Sequence, residues 1–250
     1  MTERMSWEPL RRELDRWQAA DRVARFWLRD DDAIEPTPDL ETLLASAGDN
    51  AVPLTLAVIP GLTGEALATR LAEEAGVSVA VHGWSHTNHA GPKQKKQELG
   101  GDRPADIVLG ELEHGFLLLQ RLYPARFLPV LVPPWNRIDA ALIPALPDLG
   151  FAALSVYGRA RQSGAMPLLN THVDIIDWHG TRGGRAEEEL VAELVAELED
   201  RFAGSDEPIG VLTHHLVHDA AAWDFLSALF ATTGRHPAVD WSAKAKLLKR

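Results

Sequence analysis

Val77-Ser78-Val79-Ala80-Val81-His82-Gly83-Trp84-Ser85-His86 is the stretch whose reading decides the fold. Its first five residues are β-branched or small and nearly all apolar, which reads as a strand covered on both faces. Gly83 suits a tight backbone at the strand's end. A strand ending in His-x-x-x-His puts metal-ligand chemistry on a sheet edge. Upstream, Arg25-Phe26-Trp27-Leu28 reads as a second strand, and it enters Asp30-Asp31-Asp32. Three like charges in a row repel, so a nearby cation would relieve them. One carboxylate oxygen and two imidazole nitrogens suit a divalent metal with an open coordination position.

Outward from these clusters, strand and helix patterns alternate. Trp7 to Arg22 is amphipathic and charged, with Leu10, Leu14 and Trp17 at helical spacing. Further helices are expected over 38–46, 65–74, 104–122, 140–149, 186–202 and 220–230. Further strands are expected over 54–59, 127–132, 151–156, 171–176 and 209–213. Such alternation argues for parallel strands with helices outside, as a barrel or an open sheet. The polar clusters fall just after predicted strands, on the edge where α/β folds build active sites. Thr87 to Arg103 is the one long irregular segment; it reads as a solvated loop or as a lid.

The chain has 250 residues and a formal charge of −11. That length supports one domain over 1–250, with an N-terminal helix at about 6–22. The acidic balance argues against nucleic acid or an anionic membrane as partner. No cysteine is present, so thiolate metal sites and cysteine nucleophiles are excluded. The first eight residues carry charge where a signal peptide needs apolar residues, so a cytoplasmic location is expected.

Three further clusters bear on chemistry. Pro133-Pro134-Trp135-Asn136-Arg137 is rigid and aromatic; it reads as a stiff loop or as a wall of a substrate groove. Asp177-Trp178 pairs a carboxylate with another indole. Thr213-His214-His215 ends a strand, where an imidazole suits a general acid.

Taken in order, these clusters resemble the polysaccharide deacetylase family of metal-dependent carbohydrate esterases. The family pattern is Asp-Asp, His-x-x-x-His, a proline–aromatic loop, Asp-Trp and Leu-x-His; here it spans Arg29 to His215. The resemblance implies an α/β fold, a deformed parallel (β/α) barrel of about seven strands. It implies a hydrolase that removes an acyl group, chiefly N-acetyl, from a carbohydrate or small acylated amine. Asp31 would be general base and His214 general acid. Asp32, His82 and His86 would hold one divalent ion, with zinc expected first and cobalt, nickel or manganese as alternatives. Pro134, Trp135, Asn136, Asp177 and Trp178 would bind substrate.

The sequence departs from the pattern at three points. Three aspartates stand where the family has two, so the register Asp30–Asp31 stays open beside Asp31–Asp32. Leu131-Val132 replaces the family's arginine, and Arg29 or Arg137 is expected to orient the base instead. Asn136 replaces a glycine. Alternative readings are hydrolysis of a small cyclic or linear amide, and a sugar-binding member of the fold without turnover.

Overall fold

The computed structural model describes residues 7–159, 166–242 and 248. In chain order the elements are α1 (Glu8–Ala19), β1 (Ala24–Ala33), α2 (Pro38–Asp49), β2 (Leu54–Val58), α3 (Glu65–Leu71), β3 (Val77–His82), α4 (Ala105–Leu122), β4 (Phe127–Val132), β5 (Ala153–Leu154), β6 (Val173–Asp174), α5 (Glu187–Phe202), β7 (Ile209–Thr213), α6 (Ala220–Thr233) and β8 (Val239–Trp241). The expected α/β class, with the parallel strands of a deformed (β/α) barrel, holds. Seven strands run in the order β5-β4-β3-β2-β1-β7-β6, and β8 lies beside β1. The β1–β7, β1–β8, β3–β4, β4–β5 and β6–β7 pairings are all parallel.

Two compact units share the chain. Among the described residues, one draws on 7–30, 37–54 and 171–242; the other on 31–36, 55–159, 166–170 and 248. In the first, α1 buries Leu10, Leu14 and Trp17 and packs on α5. Trp17 meets Phe202 edge-on, with centroids 5.5 Å apart, and Arg16 covers that phenyl ring. Thr37 caps α2 by accepting from the Leu40 N–H, and Asp219 caps α6 by accepting from the Ala222 N–H.

In the second unit, α4 turns Val108, Leu112, Phe116 and Leu119 inward. Phe116 packs edge-on against Phe127 and Phe151. Leu112 is fully buried, so Leu112→Ala would cost about 2–5 kcal/mol. Gly115 lets α4 come close: a Cβ there would sit 2.9 Å from Pro60 and 3.5 Å from the Gly83 carbonyl oxygen.

Several elements differ from expectation. The helix expected over 140–149 is two 3₁₀ turns, Ile143–Ala145 and Pro147–Leu149, because Pro144 and Pro147 cannot donate within a continuous helix. The strand expected over 151–156 shortens to β5. Beyond it the Asn170 side chain accepts from the Val156 N–H and donates to the Gly158 carbonyl, which replaces a ladder. The strand expected over 171–176 shortens to β6, where Asp174 turns back to accept from the Ile176 N–H. Strand β1 runs on through the acidic triplet instead of ending before it, with Asp30 in register with Thr213. The short strand β8 was not expected. Among the described residues no helix is long and apolar enough to cross a membrane.

Candidate functional site

Strand β3 is buried along its whole length and ends on His82. The chain then reverses through Gly83, at φ +57. No other residue fits there. A Cβ would lie 2.1 Å from Glu98 Oε2 and 2.6 Å from the Pro134 ring. Glu98 is fully buried although it comes from the segment read as a loop. Its carboxylate accepts from the Ser85 N–H at 2.7 Å, the Ser85 hydroxyl at 3.0 Å and the Trp84 N–H at 3.2 Å. One carboxylate thus satisfies three donors in the turn that carries His82 to His86.

Asp32 meets both histidines. Its Oδ1 lies 3.1 Å from His82 Nε2 and 3.3 Å from His86 Nε2. His82 Nδ1 is 2.9 Å from the Val132 carbonyl. A carbonyl only accepts, so Nδ1 carries the hydrogen and, in the neutral ring, Nε2 presents a lone pair. Lone pairs of two imidazoles and a carboxylate converging at such distances repel unless a proton or cation lies among them. Ligand bonds of about 2.0–2.1 Å at tetrahedral angles span an edge of about 3.3 Å, close to the spacing found. The donor atoms of Asp32, His82 and His86 all lie within 4.8 Å of one another. These residues fit a divalent ion.

The charges agree with that donor set. Burial disfavours the cationic form of His82, but Asp31 and then Asp32 outweigh it and raise its pKa above the ordinary value. Burial, reinforced by neighbouring His82, holds the pKa of His86 below the ordinary value. Of the triplet, Asp32 is the member set against both rings, as in the Asp31–Asp32 register.

The proline–aromatic loop closes on the same turn. Pro134 is buried, and the Trp135 ring lies 4.3 Å from the His86 ring. Arg137 donates to the Lys96 carbonyl at 2.8 Å. Asp32, His86, Trp135 and Asn136 all adopt left-handed φ between 55 and 72, although none is glycine. For His86 and Trp135 this costs about 1–2 kcal/mol each, and less for Asp and Asn; strain of this kind collects at functional sites. Arg29 is fully buried, and strand alternation puts it on the same face of β1 as Asp31.

The other unit carries a second histidine cluster. Asp30 Oδ2 accepts from the His215 N–H at 2.7 Å, and Asp30 Oδ1 lies 2.5 Å from His215 Nδ1. Burial pushes the Asp30 carboxyl up, while His215 draws it back down. His214 is buried and meets Trp178 edge-on at 4.6 Å. Trp178 Nε1 donates to Asp174 Oδ2 at 2.8 Å. Asp177 is used differently from expectation: its carboxylate accepts from the N–H groups of His179, Gly180 and Thr181, which holds a surface turn.

No protein-family model and no curated protein sequence matches the chain. Solved structures do. A Mycobacterium smegmatis protein assigned as a polysaccharide deacetylase superposes with a TM-score of 0.67 at 16% identity, covering 91% of this chain and 89% of its own. A peptidoglycan deacetylase from Bacillus subtilis gives 0.55 at 16%, covering 90% of each chain. A family 4 acetyl xylan esterase from Clostridium thermocellum, solved with a cobalt ion, gives 0.52 at 14%, covering 89% of each. The fold is that of the polysaccharide deacetylases.

On a polysaccharide deacetylase fold, four features at these clusters escaped the sequence reading. Glu98 lies in a stretch whose lysines, Lys93, Lys95 and Lys96, suggest only solvent. Its sole signal is an acid followed by Leu99-Gly100-Gly101 in a basic segment. The Val132 carbonyl is main chain and leaves no mark on composition. Asp174 shares the Asp-x-x-Asp-Trp spacing with Asp177, and that spacing could have named it. The pairing of Asp30 with His215 links positions 185 residues apart, which no local pattern encodes.

Proposed function

We propose that this protein is a metal-dependent hydrolase that removes an acyl group, chiefly N-acetyl, from an amide nitrogen on a carbohydrate or small acylated amine. The observation that carries the reading is the convergence of Asp32, His82 and His86 on one point of a polysaccharide deacetylase fold. Asp32, His82 and His86 would hold one divalent ion, with zinc as the first choice. The ion, when bound, supplies Lewis acidity and brings the pKa of water near it toward about 7.

The chain's own groups do the rest. Asp31 takes the proton from the attacking water on a carboxylate oxygen. Arg29, on the same strand face, orients that carboxylate. His214 gives a proton from its ring to the leaving nitrogen as the C–N bond breaks, so acetate and a free amine leave. Trp135 and Trp178 offer aromatic faces on which a sugar ring stacks. Pro134 and Asn136 set the position of the Trp135 indole.

The test combines elemental analysis with acetate release. The purified protein is expected to carry about one equivalent of divalent metal and to release acetate from chito-oligosaccharides or small N-acetyl amines. His82→Ala is expected to lose both. Full activity of His82→Ala without bound metal would reject the scheme.

A further inference from the structure

The acidic triplet holds one aspartate more than a base and a ligand require. Asp30 is fully buried, and a carboxylate in that position costs several kcal/mol unless its oxygens are satisfied. Both of its oxygens serve His215. Oδ2 takes the main-chain N–H of His215 and Oδ1 faces the ring Nδ1. That N–H belongs to the peptide unit joining His214 to His215, so Asp30 fixes the backbone on the C-terminal side of His214. On the N-terminal side, Thr213 lies in register with Asp30 itself, and its hydroxyl contacts His218 Nε2. The His214 carbonyl accepts from the Val217 N–H at 3.0 Å. The ring is then met edge-on by Trp178, whose own direction is set by Asp174.

From this geometry we infer that Asp30 and His215 form a positioning pair whose task is to aim the His214 imidazole at the leaving nitrogen. The inference rests on the reading of His214 as general acid. Neither Asp30 nor His215 moves a proton in the reaction. The pair works by fixing two main-chain torsions, and an error of about 1 Å in the acid's placement costs on the order of 100-fold in rate. Buried carboxylates that fix a neighbouring imidazole act in this way at other sites. The third aspartate, which blurs the register when only the sequence is read, thus has its own role.

The experiment compares two acetyl substrates that differ in their need for an acid. Breaking the C–N bond of an N-acetyl amine requires a proton on nitrogen, because an amide anion does not leave. Breaking the C–O bond of 4-nitrophenyl acetate does not, because the phenolate leaves unprotonated. The readout is the amide-to-ester ratio of kcat in the metal-loaded protein, with metal content and KM measured alongside. Asp30→Asn is expected to lower that ratio about 10- to 100-fold, with metal content and amide KM within about 3-fold of wild type. His214→Ala is expected to lower the ratio at least as far. His215→Asn keeps a donor near the Nδ1 position and is expected to restore most of the ratio, whereas His215→Leu is not; these variants also serve if Asp30→Asn folds poorly. Equal loss on both substrates in Asp30→Asn and His215→Leu, with His214→Ala still selective, would make the pair mere scaffold and overturn the inference alone. A His214→Ala protein with an unchanged ratio would overturn the acid assignment, and the positioning role with it.

Discussion

The turn after β3 and the turn after β7 both continue buried parallel strands into histidines, yet they hold their imidazoles with different acceptors. After β3, the inner nitrogen of His82 is tied to a main-chain carbonyl, and the outer nitrogens of His82 and His86 point at one carboxylate oxygen. After β7, the inner nitrogen of His215 is taken by the carboxylate of Asp30. A carbonyl sets the tautomer and leaves a lone pair for a cation, as metal-binding histidines require. The Asp30 carboxylate also takes the main-chain N–H of His215, so it ties that ring to its own backbone. The backbone follows the same division. The first turn is strained, with His86 left-handed, and is held by Glu98. The second is an ordinary 3₁₀ turn, His215–Val217.

The largest effect should come from removing a donor in the first turn. Asp32→Ala is expected to abolish stoichiometric zinc binding, a loss of more than about 100-fold in affinity, since even outer-shell partners cost 10–100-fold. Isothermal titration of the metal-stripped protein checks this, and unchanged affinity would dissolve the contrast between the two turns. The next effect falls on the scaffold. Gly83→Ala must place a methyl against Glu98 and Pro134 at a positive φ. It should lower unfolding stability by about 3 kcal/mol or more, read from urea denaturation. The glycines at 110 and 76, with open space around them, should tolerate alanine far better.

What was legible in the sequence follows the same line. Strands β3, β4 and β7 read almost to the residue, because short, mostly apolar runs rich in β-branched residues, such as Val77–His82, suit a buried strand. His82 and His86 read well because both ligands lie within one turn of chain. Asp177 shows where such reading stops. The Asp-Trp pair drew attention to it, but three main-chain donors of its own turn claim its carboxylate, while Asp174 takes the indole. Asp, Asn and Ser side chains serve their local backbone so readily that a motif position cannot say which acid is spare. Strand β8 was hidden for a different reason. Three residues, Val239–Trp241, carry no period, and the pairing with β1 is what makes them a strand.

Glu98→Gln sharpens the comparison at the first turn by a smaller amount. The amide oxygen can still accept from Ser85, but its NH₂ would face the Trp84 N–H or the Ser85 donors. The turn should loosen without losing a ligand. We expect metal affinity to fall about 10-fold and maximal acetate release to recover at saturating metal. A 10-fold weakening is about 1.4 kcal/mol. No recovery at high metal would mean that Glu98 does more than shape the turn.

The smallest effect belongs to the second turn and is read from pH. Burial, followed by the nearby His215 and His214, lowers the His218 pKa to about 4, while Asp219 pulls it slightly the other way. The unfolded chain takes up this proton near pH 6.5, and the folded chain only near pH 4. Between those values the unfolded state binds more protons, so stability falls as pH is lowered through that window and is unaffected by this group above it. His218→Gln cannot take up the proton in either state. Relative to its own value at pH 7.5, the wild-type protein should therefore lose about 1 kcal/mol more than the variant at pH 5.5. Urea unfolding at the two pH values measures the difference. If both proteins follow the same curve, the imidazole of His218 is as well solvated in the folded chain as in the unfolded one. The second turn would then be an open hinge, and its contrast with the first would rest on Asp30 and His215 alone.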